Sequence, residues 1–483
     1  MPPVFQRWLP FALLALVLGG ALGLRIWDLD RRPMHADEAN QAVKAGQLLG
    51  GRGYKFDPAD HHGPTLYYAV LPIAGLRGES TLAELSETTV RLVPALAGTL
   101  AVLLLYLLAL PLGRWPALAA AGFLAVSPSV VYYSRYFIQE SLLLTFTLGA
   151  LLAASQWWRT GKLGWVIGAG ICAGLMQATK ASVPLFFLAA LAGLAVARPA
   201  RPVSTRLARD IATALIAALF VAALFYSSFG TNLRGLSDAL TTYASFGGRL
   251  TAETGHEKPW WYYLTLLGWQ VNGGVFTHQI VFSFLALVGF VLAFRQGGTS
   301  WLRWVSGFSL VVLVGLSLPT YKTPWHVVHL APGMALLAAG VLSRLDRQPL
   351  VAATIALVVL SSLVQQVGLT SIERAADERN PYAYVHTSTD IRKAPLLAEL
   401  ASAQFPGQPI RVISEEVWPL PWYLRDLPNV GYWPTVPEDC DGALIIASAG
   451  LSEQVQSRLR GNYTSSFVGL RPGFVLVVFK RQP

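Results

Sequence analysis

Residues 8–38 read WLPFALLALVLGGALGLRIWDLDRRPMHADE: an apolar run from Trp8 to Leu24, a pair of arginines, and then the adjacent acids Asp37 and Glu38. A helix that crosses a bilayer takes about 20 apolar residues, so the run is long enough to span. Asp37 and Glu38 then lie just beyond the span, where water meets lipid. A carboxylate there stays ionised and still reaches a lipid-borne substrate. The run lacks a small-residue cleavage site and many further runs follow, so it reads as a retained anchor, not a removed signal.

Working outward, the whole chain has the same character. Of 483 residues, 53% are hydrophobic and only 13% charged, and the mean hydropathy is +0.46. A soluble domain carries roughly 25% charged residues, so most of this chain faces lipid or other apolar helices. Apolar runs recur near 8–24, 92–113, 116–133, 137–157, 163–179, 182–197, 211–229, 275–294, 305–319, 326–343 and 350–368, about eleven transmembrane helices by length. If every run crosses, Arg7, Arg114, Arg159, Lys162, Arg198, Arg201, Arg206, Arg209, Arg295, Arg303, Arg344 and Arg347 fall on one side. Basic residues mark the cytoplasmic side, which places the N-terminus inside and the C-terminus outside. That pattern accounts for the net charge of +10 and leaves no case for a nucleic-acid partner. The two cysteines, Cys172 and Cys440, form neither a disulfide framework nor a zinc spacing.

The expected organisation is a polytopic α-helical membrane domain over residues 1–369, with a first outer loop at about 25–91, and a C-terminal extracytoplasmic α/β domain over 370–483. In the latter, 409–414, 443–447 and 474–479 read as strands, with 395–403 and 451–460 as helices between them. A second outer segment, 230–272, ends in Trp260, Trp261, Tyr262 and Tyr263, aromatics that suit a headgroup-level belt.

The chemistry gathers on the outer side. Adjacent acids on one helical turn point in different directions, so of Asp37 and Glu38 one faces a reaction while the other ties down structure. Such a carboxylate serves as general base on an acceptor hydroxyl or ligates a divalent cation; the plainer alternative is a capping pair or a balance for Arg31 and Arg32. His61 and His62, with Asp57 and Asp60 nearby and His35 upstream, are candidate metal ligands, although His62-Gly63-Pro64 also reads as a turn. Arg135, Lys180 and Lys322 stand at outward turns, against the topogenic rule. Three such cations point to a shared anion, and phosphate is the obvious one at a membrane surface; scattered headgroup contacts are the alternative. No glycine-rich phosphate loop, nucleophile elbow or nucleotide-binding lysine motif occurs, so an activated donor must be lipid-linked.

With Asp37-Glu38 after the first span, Ser134-Arg135 with Glu140 at the second outer turn and Thr179-Lys180 at the third, the chain resembles the polytopic glycosyltransferases of the GT-C type. It is most similar to the protein O-mannosyltransferase and aminoarabinose-transferase group, glycosyltransferase family 39-like. His35-Ala36-Asp37-Glu38, Phe56-Asp57-Pro58, His62-Gly63-Pro64 and Tyr321-Lys322-Thr323-Pro324-Trp325 resemble a prokaryotic branch often labelled flippase-associated membrane proteins. The resemblance covers roughly residues 1–370. It implies transfer of a monosaccharide from a polyprenyl-phosphate donor on the outer face of a prokaryotic plasma membrane, with inversion, to a protein, glycan or lipid acceptor. It implies Asp37 as base, Glu38 as its support, and Arg135, Lys180, Lys322 and Tyr321 on the leaving phosphate, with Glu140 and His326 supporting. A divalent cation held by His35, Asp37, His61 and His62 stays open, and no Asp-x-Asp occurs in the first outer loop. The competing class is a transporter or flippase partner without chemistry, which would place ionisable residues at the centres of broken helices; a structural scaffold would leave the outward cations unexplained.

Overall fold

The computed structural model describes residues 3–51, 53–59, 62–200, 202–251 and 255–483. Each apolar run is helical over most of its length, although the run at 275–294 opens in a strand. The helices are α1 (Pro3–Ile26), α2 (Ala36–Leu49), α3 (Thr65–Arg77), α4 (Glu87–Ala109), α5 (Arg114–Ala125), α6 (Pro128–Tyr133), α7 (Glu140–Thr160), α8 (Leu163–Gln177), α9 (Val183–Ala197) and α10 (Leu207–Tyr226). There follow α11 (Arg234–Thr251), α12 (Tyr262–Leu267), a hairpin of β1 (Trp269–Asn272) and β2 (Val275–His278), α13 (Ile280–Ala293), α14 (Ser300–Ser317), α15 (Ala331–Leu342) and α16 (Pro349–Val367).

Among the described residues, seven helical segments are long and apolar enough to cross a membrane: 8–26, 87–112, 140–160, 207–226, 300–317, 324–342 and 349–373. The apolar helices α8, α9 and α13 have only 15, 15 and 14 residues, short of the roughly 30 Å hydrocarbon thickness at 1.5 Å per residue. The run at 116–133 is not one helix. Ser127, which precedes Pro128, is extended (φ −65°, ψ 121°), because proline drives the preceding residue out of the helical region.

The chain divides into two compact units: Met1–Trp27, Gly53–Ala69 and Arg91–Ala375 in the first, and Asp28–Arg52, Val70–Val90 and Ala376–Pro483 in the second. In the first, α8 packs on α7 and α10, α9 on α14, and α15 on α5 and α13. Close approach is set by small residues, as in lipid-embedded bundles. A Cβ on Gly170 would come within 2.4 Å of the Ala214 carbonyl oxygen, and one on Gly174 within 2.5 Å of that of Ala218. The α8–α10 contact therefore needs glycine at both positions.

The second unit holds a five-stranded sheet of β3 (Ile410–Ile413), β4 (Val430–Trp433), β5 (Leu444–Ser448), β6 (Tyr463–Arg471) and β7 (Phe474–Arg481), in the order β4-β3-β5-β7-β6. β3 runs parallel to β4 and β5, while β7 is antiparallel to β5 and β6. Alternate residues serve opposite faces: Ile410, Val412, Leu444 and Ile446 pack with Ala394, Ala398 and Ala401 of α17 (Lys393–Gln404). Ile413, Ile445 and Ala447 pack with Val455 of α19 (Ser452–Arg458). Between them lies α18 (Leu420–Tyr423). Strands β4 and β6 add to the three legible in the sequence. The unit also takes in two stretches of the loop at 25–91, because polar groups there bond to the C-terminal chain: Arg425 donates to the Leu85 carbonyl at 3.0 Å and Arg392 to that of Arg31 at 2.8 Å.

Candidate active site

In the second unit, helix α2 begins at the acid pair. His35 is its N-cap: the imidazole Nδ1 accepts from the Asp37 N–H at 3.0 Å, while Glu38 Oε2 accepts from the His35 N–H at 3.1 Å. This is a capping box with histidine in the place of serine or threonine. Glu38 is fully buried and its other oxygen lies 3.7 Å from Arg32. The Asp37 side chain is 49% exposed. The pair thus divides its labour, Glu38 in the cap and Asp37 toward solvent. Burial pushes the His35 imidazole below its ordinary pKa, against the opposing pull of Asp37 and Glu38, which keeps Nδ1 an acceptor.

In the first unit, Glu140 at the start of α7 forms a buried ion pair with Lys180. Lys180 Nζ also donates to His326 Nε2 at 3.2 Å, and His326 Nδ1 meets the Tyr263 hydroxyl at 3.2 Å. Tyr263 in turn donates to the Thr323 carbonyl at 3.1 Å. An ammonium that donates to Nε2 puts the imidazole proton on Nδ1. Among the described residues, these two bonds leave Lys180 one further N–H. His326 lies in a 3₁₀ segment, Pro324–His329, where residues i and i+3 eclipse, so His329 shares its face. His329 and Thr147 line a small cavity of about 20 Å³ whose other walls include Leu108, Leu148, Phe186, Trp304 and Phe308.

The turn carrying Lys180 is braced by the His62-Gly63-Pro64 stretch. The Gly63 N–H donates to the Thr179 carbonyl at 3.0 Å, the Thr65 N–H to that of Ala178 at 3.2 Å, and the two threonine hydroxyls lie 2.8 Å apart. A Cβ on Gly63 would fall 2.1 Å from the Ala178 oxygen. The turn reading of that motif is the one its geometry displays.

Lys322 is placed differently from its sequence expectation. It is buried and donates to the carbonyls of Lys258, at 3.0 Å, and Pro319. A short antiparallel pairing, Lys258 N–H to Thr320 O at 3.0 Å and Lys322 N–H to His256 O at 3.1 Å, holds the segment. Tyr321 sits in that pairing opposite Glu257, its ring 5.2 Å from His256. Arg135 donates to the Leu24 carbonyl at 2.8 Å. The three cations thus occupy three separate settings within one unit, and Lys180 is embedded in a side-chain network. Among the described residues no group of three His, Cys, Asp or Glu is arranged to hold a metal ion. His61 and Asp60 lie outside the described residues, and His35 uses Nδ1 in the cap. Tyr263, which orients His326, was read from the sequence only as a belt aromatic; nothing in its local pattern marks it as a ring-nitrogen partner.

The fold is similar to that of several solved structures. It is similar to ArnT from Cupriavidus metallidurans, solved with undecaprenyl phosphate bound, with a TM-score of 0.68 and 15% identity over 96% of this chain and 97% of that one. The oligosaccharyltransferase of Archaeoglobus fulgidus, solved with a tethered acceptor peptide, is 15% identical with a TM-score of 0.59, over 96% of this chain and 69% of that one. AglB from Archaeoglobus fulgidus with an inhibitory peptide and a dolichol-phosphate is 12% identical, with the same TM-score.

This chain has the GT-C fold. It is a multi-pass membrane protein. Residues 75–226 match the sequence profile of the dolichyl-phosphate-mannose-protein mannosyltransferase family, a stretch that contains Arg135, Glu140 and Lys180. No curated protein matches the sequence. In this GT-C chain the profile match ends before the Tyr321-Lys322 segment and begins after Asp37 and Glu38.

Proposed function

We propose that this GT-C protein transfers a monosaccharide from a polyprenyl-phosphate donor to an acceptor hydroxyl on the extracytoplasmic face of a prokaryotic plasma membrane. The observation that carries the reading is the division within the acid pair: Glu38 is locked in the cap and Asp37 is exposed at the start of the same rigid helix. A base placed on a helix start is held in orientation without being neutralised. In the reaction the acceptor oxygen attacks the anomeric carbon and Asp37 takes its proton. The bond from that carbon to the phosphate oxygen breaks, and polyprenyl phosphate leaves with inversion at the carbon. Lys180 stabilises the departing phosphate through its remaining N–H, and Arg135 adds charge at its own turn. Stabilising developing charge on a leaving group is often the largest catalytic contribution. Lys322 and Tyr321 shape the segment before Pro324. The relatives solved with polyprenyl phosphates or an acceptor peptide support the donor class and the existence of an acceptor site.

The test is transfer by detergent-purified protein from a pool of polyprenyl-phosphate sugars, wild type beside Asp37→Asn. Detergent abolishes sidedness, so a transport partner has no work to do there. Release of polyprenyl phosphate that vanishes in Asp37→Asn is the expected result. Full release from Asp37→Asn would remove Asp37 from the chemistry. A reporter fused after Arg32 is expected on the extracytoplasmic side, and a cytoplasmic signal would overturn the orientation.

A further inference from the structure

The sequence assigned no role to the C-terminal domain, yet two of its segments reach the cap of α2 within the second unit. The first is α18. Leu420 and Leu424 are buried against the sheet, Trp422 is fully buried, and the Arg425 guanidinium lies 3.9 Å over the Trp422 ring. On this anchored turn the Tyr423 hydroxyl accepts from the Met34 N–H at 2.9 Å, one residue before the N-cap. The second is the stretch 384–392. The His386 ring lies parallel to that of His35, with centroids 5.8 Å apart and planes 12° apart, and the Tyr384 backbone lies beside the His35 imidazole. Between them Val385 takes φ 49°, the left-handed region in which a β-branched residue is strained. The stretch is tied to edge strand β6 by the Ser388 N–H to the Leu470 carbonyl and the Gly469 N–H to the Asp390 carboxylate, both at 2.8 Å. Arg392 completes the grip on the carbonyls of Asp30 and Arg31.

We propose that Tyr423 and His386 are positioning residues, through which the C-terminal sheet fixes the His35 cap and hence the direction of the Asp37 carboxylate. The inference rests on Asp37 being the base. A strained backbone persists only where its surroundings over-determine it, and here the surroundings are the cap on one side and the sheet edge on the other. An isolated helix start with one polar cap frays; two external clamps hold it in a single orientation. The domain thereby contributes to turnover without touching either substrate.

Tyr423→Phe removes one hydroxyl and keeps the ring; Arg392→Ala acts on the same loop from the surface and guards against misfolding of the first variant. Two quantities are read on the full chain in detergent. Hydrogen exchange of the peptide Arg32–Ala39 is expected to quicken about fivefold with the β3–β5 peptides unchanged. Turnover is expected to drop about tenfold with the donor KM held, since a base slightly misaimed costs rate rather than binding. Unchanged exchange in both variants overturns the inference, and so does faster exchange with unaltered turnover. If Asp37→Asn retains full transfer, the base reading fails on its own, and the exchange arm still decides whether the sheet holds the cap.

Discussion

At a helix start two consecutive side chains point about 100° apart, and at Asp37-Glu38 the environment completes the separation. Glu38 is buried, bonded to the cap and beside Arg32, while Asp37 keeps its carboxylate in solvent. The two should therefore fail differently on mutation. Asp37→Asn is expected to abolish transfer with little change in thermal unfolding. Glu38→Gln is expected to lower stability by about 3 kcal/mol, because it removes a charge partner of the buried Arg32. His35 gives a pH-dependent counterpart. Its folded pKa lies below the ordinary value, so on acidification the unfolded chain takes up the proton first, near pH 6.5, and stability falls as pH drops below that value. Asparagine caps without titrating, so His35→Asn is expected to flatten this acid limb when thermal unfolding is followed between pH 5 and 7. The acid pair and the alternatives for it were legible in the sequence, both the reactive and the capping role. Which acid caps was not, since capping depends on backbone angles at His35 that residue identity leaves open.

Among the elements, the short ones carry the information. The His62-Gly63-Pro64 stretch lies against the Thr179-Lys180 turn so closely that only glycine fits. Gly63→Ala is expected to cost about 1–3 kcal/mol by overpacking and to raise the donor KM by displacing Lys180; a normal KM would separate that turn from donor binding. The spans were readable as elements because apolar runs of bilayer length have few alternatives in lipid. Their interruptions followed less directly. The break at Ser127-Pro128 follows from proline's effect on its predecessor, while the shortness of α8, α9 and α13 lies in where the chain turns, which hydropathy averaged over a window blurs. Strands β4 and β6 escaped notice for a related reason: Val430–Trp433 is only four residues long, and Tyr463–Arg471 is exposed throughout Thr464–Phe467, so neither shows clean alternation.

Across the whole molecule, the Glu140–Lys180–His326–Tyr263 chain joins helices far apart in sequence. Breaking a buried ion pair by removing one partner costs about 3–5 kcal/mol, whereas replacing both is far better tolerated. Lys180→Met alone is expected to destabilise the protein strongly. The double variant Lys180→Met with Glu140→Gln should recover most of the melting temperature while transfer stays abolished; recovered transfer would show that the lysine serves folding only. The sequence by itself determined the membrane class, the helical runs, the C-terminal α/β domain and the residues worth suspecting, because hydrophobic length and charge placement are local quantities. Tertiary structure alone decided that Lys180 is networked while Lys322 is spent on backbone carbonyls, and that two stretches of the first outer loop belong with the C-terminal sheet. Those outcomes depend on which distant atoms satisfy a buried donor, and a buried polar group takes whatever partner the packed fold brings within about 3 Å.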